Sequence, residues 1–168
     1  MASMPLSQRS DAFDALAPEH VGGVVAQALA LQRAALSGAV VPLLRGKNFG
    51  LLCDDEAKAA DAALFRHAAT ELGAHVAHIR ASLSERSSAH EVEHTARMLG
   101  RLYDAIECEG MPAALVQQLA HSVDMPVYGG IASLNHPTAA LAEQLGPESP
   151  LDDRRRFIVQ AVLLVSLG

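Results

Sequence analysis

The chain has 168 residues, of which 50% are hydrophobic and 19% charged, which excludes wholesale disorder and fits one domain with a sizeable core. Nineteen Asp and Glu against thirteen Lys and Arg give a net charge of -6, a poor match for a phosphate backbone, so nucleic acid is not an expected partner. The opening MASMPLSQRSDAFDALAPEH lacks a basic-then-apolar export pattern, and the apolar run 157–167 is shorter than the ~20 residues of a membrane span.

The expected elements follow in chain order. Residues Pro18–Leu36, rich in Ala, Leu, Val and Gln with Glu19 near the start, read as a helix. The turn Arg45-Gly46-Lys47 leads into a short apolar run, Asn48–Cys53, that suits a buried strand. Asp54, Asp55 and Glu56 then place acids at the start of a helix running to about Leu72, and Gly73 ends it. His75–Ile79 reads as a second strand and 90–102 as a helix. A third strand is expected at 104–108, a helix at 113–122, a fourth strand at 125–128 and a helix over Pro137–Leu145. Single helices between strands imply right-handed crossovers, a parallel sheet and helices on both faces. The fold class is therefore α/β, a three-layer sandwich with a four-stranded parallel sheet. Residues 146–150, Gly-Pro-Glu-Ser-Pro, break the chain before a last helix, Leu151–Leu167, whose apolar second half must be buried. Cys53 and Cys108 fall inside strand-like runs rather than a disulfide framework, so a cytoplasmic setting with reduced thiols is expected.

Three motifs carry candidate chemistry. His90-Glu91-Val92-Glu93-His94 has the H-E-x-x-H form of a zinc hydrolase, with Glu91 as general base. Glu93 inside the motif, Arg97 and Gly100 at the positions of a further ligand, and no helix to present Glu107 or Glu109 favour a solvated helix start instead. Tyr128-Gly129-Gly130-Ile131 follows a strand, as phosphate loops do, but lacks a lysine and the G-x-G-x-x-G spacing. His136-Pro137 opens a helix at the carboxyl edge of the sheet, where α/β folds bind ligands; a plain capping turn is the competing reading.

Taken together, several segments resemble the aspartate/ornithine carbamoyltransferase family. Leu43-Leu44-Arg45-Gly46-Lys47-Asn48-Phe49-Gly50-Leu51-Leu52 is similar to its opening strand, and Glu71-Leu72-Gly73-Ala74-His75 to its "QLGGH" turn. Thr95-Ala96-Arg97-Met98-Leu99 resembles "DTARVLSR", and Tyr103-Asp104-Ala105-Ile106 resembles "DAIV". Met125-Pro126-Val127-Tyr128-Gly129-Gly130 falls at "VPVINGL", and Asn135-His136-Pro137-Thr138-Ala139-Ala140-Leu141 matches "HPTQAL" in all but its glutamine. The resemblance covers about residues 14–145, the carbamoyl phosphate domain. Residues 153–164 resemble the family's closing helix, which implies one unit over 1–168, with 146–150 in place of a second domain and 151–168 as a returning helix.

The family's Ser-x-Arg-Thr-Arg motif falls on residues 58–62, so Lys58, Asp61 and Ala62 stand where that resemblance implies phosphate ligands. The arginine after "DAIV" aligns with Glu109, the loop's basic residue falls near Ser88, and the glutamine after His-Pro-Thr is Ala139; His136 and the Thr138 backbone remain. A doubly charged phosphate needs arginine forks or a helix N-terminus, and Lys58 is the candidate cation against Asp61 and Glu109. The expectation is a vestigial carbamoyl phosphate site with no catalytic residue, metal or cofactor, in a protein that is not an enzyme. Its role would be binding or regulation, in a homotrimer or in a mixed oligomer with a true carbamoyltransferase. A pocket around His136, Lys58, Asp61 and Glu109 that takes a cationic small molecule stays open beside it, as does the zinc hydrolase.

Overall fold

A four-stranded parallel sheet in the order β2-β1-β3-β4 forms the centre of the computed structural model, which describes residues 14, 17–54, 58–80 and 82–167. The strands are β1 (Asn48–Cys53), β2 (His75–Ile79), β3 (Ala105–Glu109) and β4 (Val127–Tyr128). Between and around them run α1 (Pro18–Leu36), α2 (Ala59–Glu71), α3 (Ala89–Leu102), α4 (Ala113–His121) and α5 (Leu151–Leu167). β1 pairs with both β2 and β3, so Leu51 stands between His78 and Glu107 in register. Every residue of β3 is buried, whereas β2, an edge strand with two histidines, is largely exposed, the pattern of a covered centre and an open margin. This is the three-layer α/β fold expected from the alternation of elements.

The two faces have separate cores. On one, α1, α2 and α5 pack over Phe49 and Leu51, and Phe49 meets Phe65 of α2 edge to face with centroids 6.1 Å apart. On the other, Val92, Ala96 and Leu99 of α3 join Leu115 and Leu119 of α4 over Leu52, Ile106 and Cys108. The apolar half of α5 is buried in the first core from Phe157 to Leu163. Gln160 within it donates to the carbonyl of Ala68 at 3.1 Å, and Arg156 meets Glu71 at 2.7 Å. These contacts give the helix a register on α2 as well as an apolar seat. Asp104, just before β3, accepts the Asn48 N–H at 2.8 Å and returns its own N–H to the Asn48 carbonyl at 2.7 Å, aligning the entries of β1 and β3.

Local chemistry moves some boundaries. α2 begins at Ala59, with Lys58 at its N-cap and Asp61 as the acid of its first turn. Asp54 therefore precedes the helix, and Asp55 and Glu56, read as helix-start acids, lie outside the described residues. Pro137–Leu145 is a 3₁₀ helix rather than an α-helix, with Thr138, Leu141, Ala142 and Leu145 buried. Gly146, at φ +78°, ends it.

Candidate functional site

The carboxyl ends of β3 and β4, the start of α2 and the start of the 3₁₀ helix converge on a cavity of about 250 Å³. Its walls include Lys58, Glu109, Met111, Gly130, Asn135 and His136. Crevices outside the carboxyl ends of parallel strands are where α/β folds bind ligands.

Two glutamates dominate its chemistry. Glu107 and Glu109 are two apart on β3, so their side chains leave the same face of the strand. Glu107 is fully buried, and Glu109 is 2% exposed. The Glu107 carboxyl accepts the backbone N–H of Gly130 at 2.6 Å and that of Ile131 at 3.1 Å. Gly130 has φ +75°, which turns these successive N–H groups toward one point. The glycine turn that resembles a phosphate loop is thus a nest already filled from within the chain. Both oxygens of Glu109 are buried with no hydrogen-bond partner among the described residues.

Burial pushes the Glu107 carboxyl well above the usual carboxylate range, and Glu109 beside it adds to the shift. Burial also raises Glu109, to about 7, with Asp61 raising it further and Lys58 opposing. Lys58 sits 3.9 Å from Asp61, so its charge is shared before it reaches the cavity. His136 caps the 3₁₀ helix: its Nδ1 stands 3.2 Å from the Thr138 N–H and 2.8 Å from the Thr138 hydroxyl. Burial lowers its pKa, so the ring is neutral at pH 7. The cavity offers one shared cation, one neutral imidazole and the buried Glu109 carboxyl. That arrangement favours a positively charged or strongly hydrogen-bond-donating ligand over an oxyanion.

The remaining positions singled out in the sequence lie elsewhere. Ala62 lines a separate groove beside β2, while Thr138 and Ala139 line a narrow space against Ile158 and Arg155 of α5. Thr138 donates its hydroxyl to the Ile131 carbonyl at 3.2 Å, a structural tie between the two loops. Glu107, weighed in the sequence only as an acid for the H-E-x-x-H motif, is the buried neighbour of Glu109 on β3. The alternation Glu107-Cys108-Glu109 at the end of a strand was the available signal, since it puts both acids on one face. In the H-E-x-x-H segment, Ser88 and Glu91 form a reciprocal capping box at 3.1 Å, and Glu93 pairs with Arg97. Glu91 caps a helix there instead of facing a metal. No group of three or more His, Cys, Asp or Glu among the described residues has the geometry of a metal site. No helix among those residues is long and apolar enough to cross a membrane.

Comparison with known proteins places this geometry in context. Residues 12–146 match the family pattern described as "Aspartate/ornithine carbamoyltransferase, carbamoyl-P binding domain". An ornithine carbamoyltransferase of Cutibacterium acnes is 36% identical over 127 residues, which are 76% of this chain and 38% of that protein. A catabolic ornithine carbamoyltransferase of Mycoplasma capricolum is 38% identical over 118 residues, 70% of this chain and 38% of that protein. The solved ornithine carbamoyltransferase of Pyrococcus furiosus superposes with a TM-score of 0.68 at 25% identity, covering 82% of this chain and 44% of that one. The aspartate transcarbamoylase of Trypanosoma cruzi shares the fold at 19% identity and a TM-score of 0.59, covering 82% of this chain and 44% of that one. This chain spans about 38% of the length of the curated relatives. These relatives correct the expectation of a protein that is not an enzyme, because they are named as enzymes of carbamoyl transfer. The physical reason is one of scope: that expectation weighed charges at one sheet edge, and the relatives' chemistry belongs to chains about twice as long.

Proposed function

We propose that this chain, which belongs to the aspartate/ornithine carbamoyltransferase family, supplies a ligand-binding unit whose sheet-edge cavity takes a small cationic molecule bearing an ammonium or amidinium group. One observation carries the reading: the buried carboxyl of Glu109, without a hydrogen-bond partner among the described residues, standing in the wall of an open cavity. A cationic donor satisfies both oxygens and offsets the cost of ionising them. Ornithine, for which the relatives are named, carries groups of this kind. The reading treats 1–168 as one unit with its core at 14–145, and residues 146–150 as the connection standing in place of a second domain.

The test is calorimetric titration at pH 8, where Glu109 is ionised, with L-ornithine and putrescine as probes and carbamoyl phosphate as the anionic comparison. Heat with at least one amine, lost on Glu109→Gln, is the expected result. Binding of carbamoyl phosphate with silence from both amines overturns the charge argument.

A second reading concerns assembly. Leu36, Val40, Val41 and Leu43 are exposed by 61%, 42%, 58% and 53%. Val40, Val41 and Leu43 line an apolar groove of about 200 Å³ with Leu31 and Phe157. Clustered apolar surface of this kind marks a contact with another chain. We place a second copy of this chain there, within a homotrimer in the cytoplasm, with a mixed oligomer containing another carbamoyltransferase as the alternative. Light scattering at micromolar concentration is expected to give an oligomer that Val41→Asp with Leu43→Asp dissociates. A wild-type chain that is monomeric under those conditions defeats the homotrimer.

A further inference from the structure

A second, larger cavity lies on the other side of α2, between that helix and the edge strand β2. Its volume is about 500 Å³, twice that of the sheet-edge cavity. Its position follows from the sequence. Leu51, Cys53, Val76, His78 and Arg80 alternate onto the α2 face of β1 and β2. The part of α2 that faces them carries Ala59, Ala62 and Ala63, side chains too short to close over the sheet. An apolar floor is therefore left open at the carboxyl end of two strands.

The rim has the opposite sign from the sheet-edge cavity. Arg66 lies along the groove with Nη1 3.5 Å from the Val76 carbonyl. The His78 Nε2 meets the Cys53 carbonyl at 2.7 Å, which fixes the ring at the groove wall. Arg80 lines the groove beside them. Among the described residues neither arginine has an acidic partner within ion-pair distance, although Asp54 stands at the same rim. Charges guard many edge strands by pointing into water. Here they ring a concave apolar surface, and one guanidinium is laid against the strand it would otherwise repel neighbours from.

We propose that this groove binds a small organic oxyanion, a carboxylate or phosphate monoester with a compact apolar body, held by Arg66 and Arg80 over Leu51 and the α2 alanines. Guanidinium forks match the geometry of such headgroups, and the alanine floor accepts the apolar body. The site does not depend on Glu109 or His136, so it stands or falls separately from the cation site.

The experiment is an NMR titration of the isotope-labelled chain with phenyl phosphate and, separately, inorganic phosphate. Phenyl phosphate is expected to shift amides at Leu51, Cys53 and Ala63, with inorganic phosphate about tenfold weaker because it leaves the floor uncovered. Arg66→Gln with Arg80→Gln is expected to weaken phenyl phosphate by at least about tenfold while amide dispersion stays native. His136→Ala is expected to leave that binding unchanged. Shifts centred on Gly130 and His136, affinity indifferent to the paired arginine variants, or no shift at about 10 mM phenyl phosphate would each overturn the proposal. Equal affinity for the two probes overturns the apolar part of the ligand class. If the double variant loses native dispersion, Arg80→Gln alone decides the matter by the same criterion.

Discussion

Replacing Glu109 by glutamine is expected to raise the melting temperature at pH 8 and to change it little at pH 5. Glutamine keeps the shape of the side chain and removes its ionisation. In the folded chain burial raises the Glu109 carboxyl from 4.5 to about 7; in the unfolded chain it titrates at its ordinary value. A raised carboxyl binds its proton more tightly when folded, so stability is highest below the unfolded pKa and falls as pH rises through the folded one. At pH 8 both states are ionised, and the folded state carries the full penalty, about 3 kcal/mol at about 1.4 kcal/mol per unit of pKa. At pH 5 the folded carboxyl is protonated and most of that penalty is absent. For a chain of this length each kcal/mol is worth about 2–4 °C. The same variant is expected to lose affinity for the amine probes. A protein that melts higher and binds less is the signature of a residue retained at a cost to the fold. Equal melting shifts at pH 5 and pH 8 would show that the buried carboxyl carries no ionisation cost.

Ending the chain at Pro150 is expected to abolish cooperative unfolding. The truncation removes Phe157, Ile158, Val159, Ala161, Val162 and Leu163, all at most 2% exposed. Burial of the larger of these side chains is worth about 1.5–3 kcal/mol each. The domain as a whole commands only about 5–15 kcal/mol. Removal also strips Arg156 and Gln160 from Glu71, leaving a half-buried carboxylate without its cation. Circular dichroism of the truncated chain should show a shallow, non-cooperative melt. A sharp transition near that of the full chain would mean α5 is an appendage to a core complete without it. Phe157→Ala provides the graded comparison, at about 3–5 kcal/mol.

The layers of the fold were legible because each rests on local pattern. α1, β1 and β2 have the bounds expected from their apolar runs, breakers and acidic starts. The Pro137–Leu145 segment was misread because a proline start and an apolar face suit an α-helix and a 3₁₀ helix alike. The site was legible only in part. Lys58, Glu109 and His136 do share a cavity. Ala62 does not; it lines the groove between α2 and β2 instead. Glu107 entered the sequence reading only as an acid for the H-E-x-x-H motif, because its partners are backbone N–H groups, which a sequence does not display. The enzyme question had no answer in these residues alone. The relatives that settle its family-level form extend well beyond the stretch this chain shares with them.

The seat of α5 also bears on how the chain acquires its structure. The core built by α3 and α4 draws on residues between Leu52 and Val127, so it can consolidate from segments close in sequence. The core on the other face joins Val24 and Ala28 to Phe157–Leu163, across more than a hundred positions. Such long loop closures are slow and come late. During synthesis α1 and α2 must wait, with their apolar faces uncovered, until α5 has been made. That half of the molecule is the one most exposed to aggregation before folding ends.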